Sequence, residues 1–244
     1  SSLMGRLPKK LAPAFALSIV SGGIGAIVAP AASLYVGVGL GLATWILLSN
    51  ITGLRERLAN KRHFRAKLSD LTSHNRSYYG MVLAHLGVAM FIVGATMVSN
   101  FGVEEDVRMS PGDEHEAAGF RFRFEGATVE PGPNYQAQKG RFVVFKDDRE
   151  VTILEPEKRT YLATRQPMTE AAIDWGFTRD IYVSLGEPLG DGDWSLRVYY
   201  KPFVRWIWLG AVLMALGGIL AVTDRRYRTA RRTAKVPAGA TART

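Results

Sequence analysis

Four runs of about 20 apolar residues commit this chain to a membrane fold before any other feature is weighed. They occupy residues 11–30, 31–49, 79–98 and 203–222. A hydrocarbon core about 30 Å thick is crossed by about 20 helical residues, and only a helix or a closed barrel pairs every backbone polar group there. Pro30 sets a turn between the first two runs, and the second run follows at once. The pair therefore reads as a hairpin in the membrane, not as a cleaved leader. The polar region 101–202, 102 residues long, is large enough for a small core of its own. The predicted fold is an α-helical integral membrane protein of four transmembrane helices with an inserted small all-β exported domain. Residues 1–100 carry the first three helices with a basic loop at 50–78, residues 101–202 the β domain, 203–222 the fourth helix and 223–244 a basic tail.

Charge orients this arrangement. Residues 1–12, 50–78 and 223–244 hold seventeen Lys/Arg against Glu56, Asp70 and Asp224. Region 101–202 holds thirteen Lys/Arg against nineteen Asp/Glu, a net of −6. Short basic loops stay cytoplasmic, while long domains translocate largely regardless of charge. Four spans then put both termini and the 50–78 loop inside and 101–202 outside. The tail RRYRTARRTAK borders a span, so it reads as an orientation signal that meets membrane lipid and not nucleic acid. There is no cysteine, so the exported domain folds without disulfides and the chain offers no thiol chemistry or covalent haem attachment.

His85 lies in the third run, roughly 10 Å from the Tyr79 end at ~1.5 Å per residue, too deep for an interfacial residue. An ionisable group at that depth marks a partner, a proton path or a cofactor, and neutral imidazole suits a haem iron. A simple hydrogen bond to a neighbouring helix is the competing role. Gly80, Gly87 and Gly94 recur every seven residues and form a packing stripe. His85, two residues from Gly87 and so roughly 200° round the helix, points away from that stripe. The second span holds a GxxxG pair, Gly37 and Gly41, and Gly217–Gly218 is expected to interrupt the fourth.

In the polar region FRFRFE at 120–125 alternates as a half-buried strand does. Strands at 141–145 and 150–154 flank a turn at 146–149, and strands at 181–185 and 194–200 flank another at 190–193. No repeat, phosphate cradle or metal-spaced His/Cys/Glu cluster appears, so hydrolase and metalloenzyme readings fall away. His115, in DEHE, a solvated acidic loop, and His63 and His74, in the basic loop, read as surface residues. Arg205, Trp206 and Trp208 read as an interfacial anchor, with Arg205 reaching to the headgroups.

Four stretches carry a family likeness: RSYYGMVLAHLGVAMFIVG, PEKRTYLATRQPMTEAAID, TRDIYVSLGEP and WSLRVYYKPFVRWIWLGAVLMALGGILAVTDRRYR. Together they resemble the C-terminal portion of the CcmF family, the membrane haem-handling subunits of bacterial cytochrome c maturation. The related NrfE proteins are similar. The likeness runs from about residue 76 to 228, and the first two spans fit it more loosely. It implies a bacterial inner membrane protein with 101–202 periplasmic. It also implies a component of a haem lyase that works with a CcmH/CcmI-type subunit. That lyase joins haem from the chaperone CcmE to exported apocytochrome c.

The resemblance further implies haem b in the membrane bundle, held by two histidines from different helices. The histidine of the LAHLG block, His85, is one of them. This haem would reduce the incoming haem iron with electrons from quinol. No residue here inherits a catalytic role. The family's tryptophan-rich periplasmic segment, its two flanking histidines and its other membrane histidine have no counterpart in this sequence, so the second axial ligand is expected from outside it. The chain begins at Ser1, and the expectation is a fragment or a split subunit, inactive without its N-terminal remainder. The rival reading is a cofactor-free scaffold of the maturation complex. A transporter fragment is disfavoured, because the spans hold one mid-span ionisable residue and no paired broken helices.

Overall fold

The computed structural model describes residues 3–30, 33–59 and 76–224. Its helices are α1 (Leu3–Val28), α2 (Leu34–Ala59), α3 (Arg76–Phe101) and α4 (Val204–Val222). Each includes a stretch long and apolar enough to cross a membrane, and the protein is multi-pass. Helices α2 and α3 outrun the apolar segments: α2 continues past Arg55 and Arg57, and α3 opens at Arg76. Elongation adds one hydrogen bond per residue fixed, and long basic side chains at a helix end extend to the headgroups. His63, His74 and the tail beyond Asp224 lie outside the described residues.

In the membrane unit the helices meet through small residues. A Cβ on Gly22 would stand 2.7 Å from the Gly37 carbonyl oxygen, so α1 and α2 touch backbone to backbone. The Thr44 hydroxyl donates to Ser21 Oγ at 2.9 Å across the same seam. Between α3 and α4 the match is glycine on glycine. A Cβ on Gly87 would lie 2.5 Å from the Gly210 carbonyl oxygen, and one on Gly80 2.5 Å from that of Gly217. Both are well inside contact distance. Gly94 is buried as well. The expectation that Gly217–Gly218 interrupts the fourth span is corrected: α4 is continuous, Gly217 serves the seam and Gly218 faces open space. Buried Asp224, just past α4, accepts a hydrogen bond from the Ser77 N–H at 3.0 Å, filling one of the vacant donors at the start of α3. The Arg57 guanidinium stands over the Tyr78 ring at 4.4 Å and ties α2 to α3.

The second unit, Met97–Arg205, is an antiparallel β-sandwich. Its strands are β1 (Val103–Met109), β2 (Glu114–Ala117), β3 (Phe120–Pro131), β4 (Tyr135–Lys146), β5 (Arg149–Leu154), β6 (Glu157–Tyr161), β7 (Pro167–Glu170), β8 (Ala172–Trp175), β9 (Arg179–Gly190) and β10 (Asp193–Pro202). One sheet runs β1-β10-β9-β8; the other runs β2-β3-β4-β6-β7, with β5 also on β4. Alternation builds the core between them. Phe120, Phe122 and Phe124 point inward from β3, and Ile181, Val183 and Leu185 from β9. Phe124 stacks on Phe142 at 4.8 Å. Burying one such side chain stabilises the fold by about 1.5–3 kcal/mol.

The two expected hairpins form, each on a two-residue turn. Asp147 and Asp148 have φ of 49° and 58°, and Asp191 and Gly192 have 51° and 87°. Two successive positive φ values make the turn twist with the strands.

One ion pair secures the rim of the first sheet. Asp193 accepts from Ser110 Oγ at 2.6 Å and from Arg108 Nε at 2.7 Å. Ser110, and then Arg108, hold its carboxyl below the usual aspartate range.

Two predictions follow from these contacts. In the purified full chain Gly87→Leu should destabilise strongly, by at least the ~1–3 kcal/mol of ordinary overpacking, because backbone stands in the way. Gly218→Leu should be tolerated, and thermal unfolding in detergent compares the two. For Asp193, a folded-state pKa below the unfolded value adds stability above about pH 4 that fades as pH falls through the lowered value. Asp193→Asn should therefore lower Tm at pH 7 by a margin that shrinks towards pH 2. A margin constant across that range would assign the loss to packing.

Candidate functional site

His85 sits in the tenth position of α3, between Ala84 and Leu86. It is exposed, whereas Gly80, Gly87 and Gly94 of the glycine stripe are buried, so the imidazole faces away from that stripe, with buried Ala89 one turn further on along its own side. Its Nδ1 lies 2.8 Å from the Met81 carbonyl oxygen, one turn back. A carbonyl only accepts, so Nδ1 carries the proton and donates. In the neutral ring that leaves Nε2 with a bare lone pair directed off the helix, and among the described residues nothing bonds to it. Half-exposed Met81 and the partly covered Val88 and Ile92 share this face at helical spacing. The result is an apolar surface carrying one Lewis base, its tautomer held by a backbone carbonyl. That donor set fits an axial haem ligand, in which the distal nitrogen binds iron and the other ring N–H is held by an acceptor. No second histidine lies in a span among the described residues.

The remaining sequence candidates part company here. His115 is not in a loop: it belongs to β2, half-buried, with Nε2 2.6 Å from Glu105 Oε2 on β1. Arg205 has protein partners that the sequence does not foretell. Its Nε donates to Asp180 Oδ1 at 3.0 Å, and its guanidinium covers the Trp175 ring at 4.6 Å. Sequence reading also missed an open cleft of about 550 Å³ on the sandwich, floored by Gly126, Gly140 and Trp194. Four of its rim charges, Glu125, Lys139, Arg141 and Glu155, are mutually paired. Lys139 donates to Glu155 and holds that carboxyl below its ordinary range, and Arg141 bonds Glu125 at 2.8 Å. Glu130, also on the lining, stands outside these pairs.

The fold and the helix-borne imidazole define a class: a multi-pass membrane protein with an inserted β-sandwich. The family described as the CcmF C-terminal beta-sandwich matches residues 100–202. The chain is 50% identical over 187 residues to the cytochrome c-type biogenesis protein CcmF of Pseudomonas aeruginosa, covering 77% of this chain and 28% of that protein. To the cytochrome c-type biogenesis protein NrfE of Haemophilus influenzae it is 38% identical over 152 residues, covering 62% of this chain and 24% of that protein. A solved structure of cytochrome c heme lyase CcmF shares its fold, with a TM-score of 0.68 at 18% identity over 86% of this chain and 34% of that one. The chain belongs to the CcmF family and corresponds to the C-terminal portion of its members. It spans 28% of the length of the Pseudomonas aeruginosa relative.

Proposed function

We propose that this chain is the C-terminal part of a membrane haem lyase component in cytochrome c-type biogenesis, and that His85 supplies one axial ligand of a b-type haem. The observation that carries the reading is the His85 ring itself, with Nδ1 engaged by the Met81 carbonyl and Nε2 open on an apolar helix face. The names of the chain's relatives supply the pathway. When bound, such a haem supplies one-electron redox chemistry. The chain's own part is to present Nε2 unprotonated, to fix the ring through Met81 and to keep the α3–α4 seam on the opposite side. The second axial histidine comes from outside this chain. The sandwich then serves as a docking surface for a CcmH/CcmI-type subunit, the chaperone CcmE or apocytochrome c.

In the complete protein, His85→Ala should abolish or convert the bis-histidine haem spectrum while the amount in the membrane is unchanged. Replacing His63, His74 and His115 together should leave the spectrum as it is. An unaltered spectrum in His85→Ala would refute the ligand role, and a complete protein without haem would favour a cofactor-free scaffold.

The same reading orients the chain in the inner membrane, with 101–202 periplasmic and both termini cytoplasmic, from the basic excess on the proposed inner segments. An export-dependent reporter fused at Gly132 should be active, and one fused after residue 232 inactive. The reverse pattern would invert the topology.

A further inference from the structure

Strand β8 is patterned inside out. Along a strand, alternate residues face core and solvent, and the solvent side is ordinarily polar. Here Ile173 and Trp175 occupy the outer side, 52% and 69% exposed, while Asp174 between them is turned inward and paired with Arg179. Phe177, two residues on, is 64% exposed. Three apolar side chains at positions 173, 175 and 177 therefore line the outer side of an edge strand and its turn.

Register shows which end of the sheet this is. Trp175 pairs with Asp180, Asp180 with Lys201 and Arg179 with Pro202, the last residue of β10. At the same end Val103, the first residue of β1, pairs with Tyr200. These are the residues at which the chain leaves α3 and enters α4. The Phe203 N–H, one residue before α4, donates to the Thr178 carbonyl at 2.8 Å. Arg205, the second residue of α4, is held on Asp180 and over Trp175. The turn 176–178 and the residues flanking it are thus held to residues 203–205, where the chain enters α4.

Cations and aromatic rings flank it on the same face. Lys201 lies 5.2 Å from the Tyr199 ring centroid, and Tyr199 stacks on Tyr182 at 4.3 Å. Tyr182 donates no charge of its own but, by hydrogen bonding, keeps the Lys201 ammonium protonated above its ordinary range. Aromatic rings beside Lys and Arg are the composition of a membrane–water interface.

We infer that the β8–β9 edge of the sandwich, Ile173, Trp175 and Phe177, lies in the lipid headgroup region beside the entry of α4 and serves as a second, non-covalent membrane anchor for this unit. An apolar outer face is what that medium selects, and an edge strand seated among headgroups is closed to pairing with another chain.

The chain has no cysteine, so single cysteines can be placed and labelled without background. Phe177→Cys and Ile173→Cys, each carrying a bimane fluorophore, are compared with Asp191→Cys on the turn at the opposite end of the sheet. The full chain is reconstituted in phosphatidylcholine–phosphatidylglycerol vesicles and exposed to headgroup-nitroxide lipid or to aqueous iodide. Labels at 173 and 177 should be quenched severalfold more by the nitroxide lipid than by iodide, and the label at 191 the other way round. Strong iodide quenching at 177 would overturn the anchor, because the turn would then stand in water. Shielding from both quenchers would overturn it too, because a protein surface, from a second copy or another subunit, would then cover the site.

Discussion

The glycine-to-glycine contact between α3 and α4 is what the rest of the membrane unit depends on. Lipid tails are as apolar as leucine, so helices in a bilayer gain little by hiding apolar side chains from one another and associate through close packing and hydrogen bonds. Gly80 against Gly217 and Gly87 against Gly210 bring two backbones to where a single Cβ would stand 2.5 Å from a carbonyl oxygen. Both pairs are spaced by seven residues, so the antiparallel helices keep the seam over two turns. The contact also fixes how α3 is rotated. His85, two positions before Gly87, lies off that seam and is exposed.

That rotation would mean little if the imidazole were free to choose its tautomer. The Met81 carbonyl makes the choice, since it can only accept, and the proton is held on Nδ1. One backbone oxygen thereby sets which nitrogen is a base. In an apolar medium a lone pair without a donor or a metal is unfavourable, because a buried acceptor left unmade costs about 1–3 kcal/mol. The same helix that leaves Nε2 open surrounds it with groups that cannot satisfy it. On the proposed reading, this open lone pair is what His85 offers to the haem iron.

Much of this was legible in the sequence, and the failures have physical causes. The spans were read from length and apolarity because the bilayer tolerates no other pattern. The hairpins at 147–148 and 191–192 were read from acidic and glycine residues that accept a positive φ. Strand β1 was missed because its inward positions run Val103, Glu105, Val107, Met109, so one acidic side chain interrupts the apolar period. Glu105 is accommodated by His115 on β2, a contact between residues ten apart that alternation does not encode. Arg205 was read only in part, for a related reason. Its position beside a span suggested an interfacial residue, and its partners Asp180 and Trp175 are brought near only by the fold.

Insertion of a β unit between two packed helices raises a geometric question that the strand order answers. Helices α3 and α4 are antiparallel neighbours by their glycines. Strands β1 and β10, which follow the one and precede the other, are antiparallel neighbours by hydrogen bonds from Val103↔Tyr200 to Met109↔Trp194. Both halves of the chain therefore impose the same pairing, and each connector is a single residue. Gly102 bends back so closely that a Cβ would meet the Val98 carbonyl oxygen at 2.6 Å, and Phe203 adopts a φ of 53°. A non-glycine residue held at positive φ persists where its surroundings over-determine it, and here the bond from the Phe203 N–H to Thr178 does so. Strand pairing within the sandwich and helix packing within the membrane unit thus each bring the same two stretches of chain together by their own contacts.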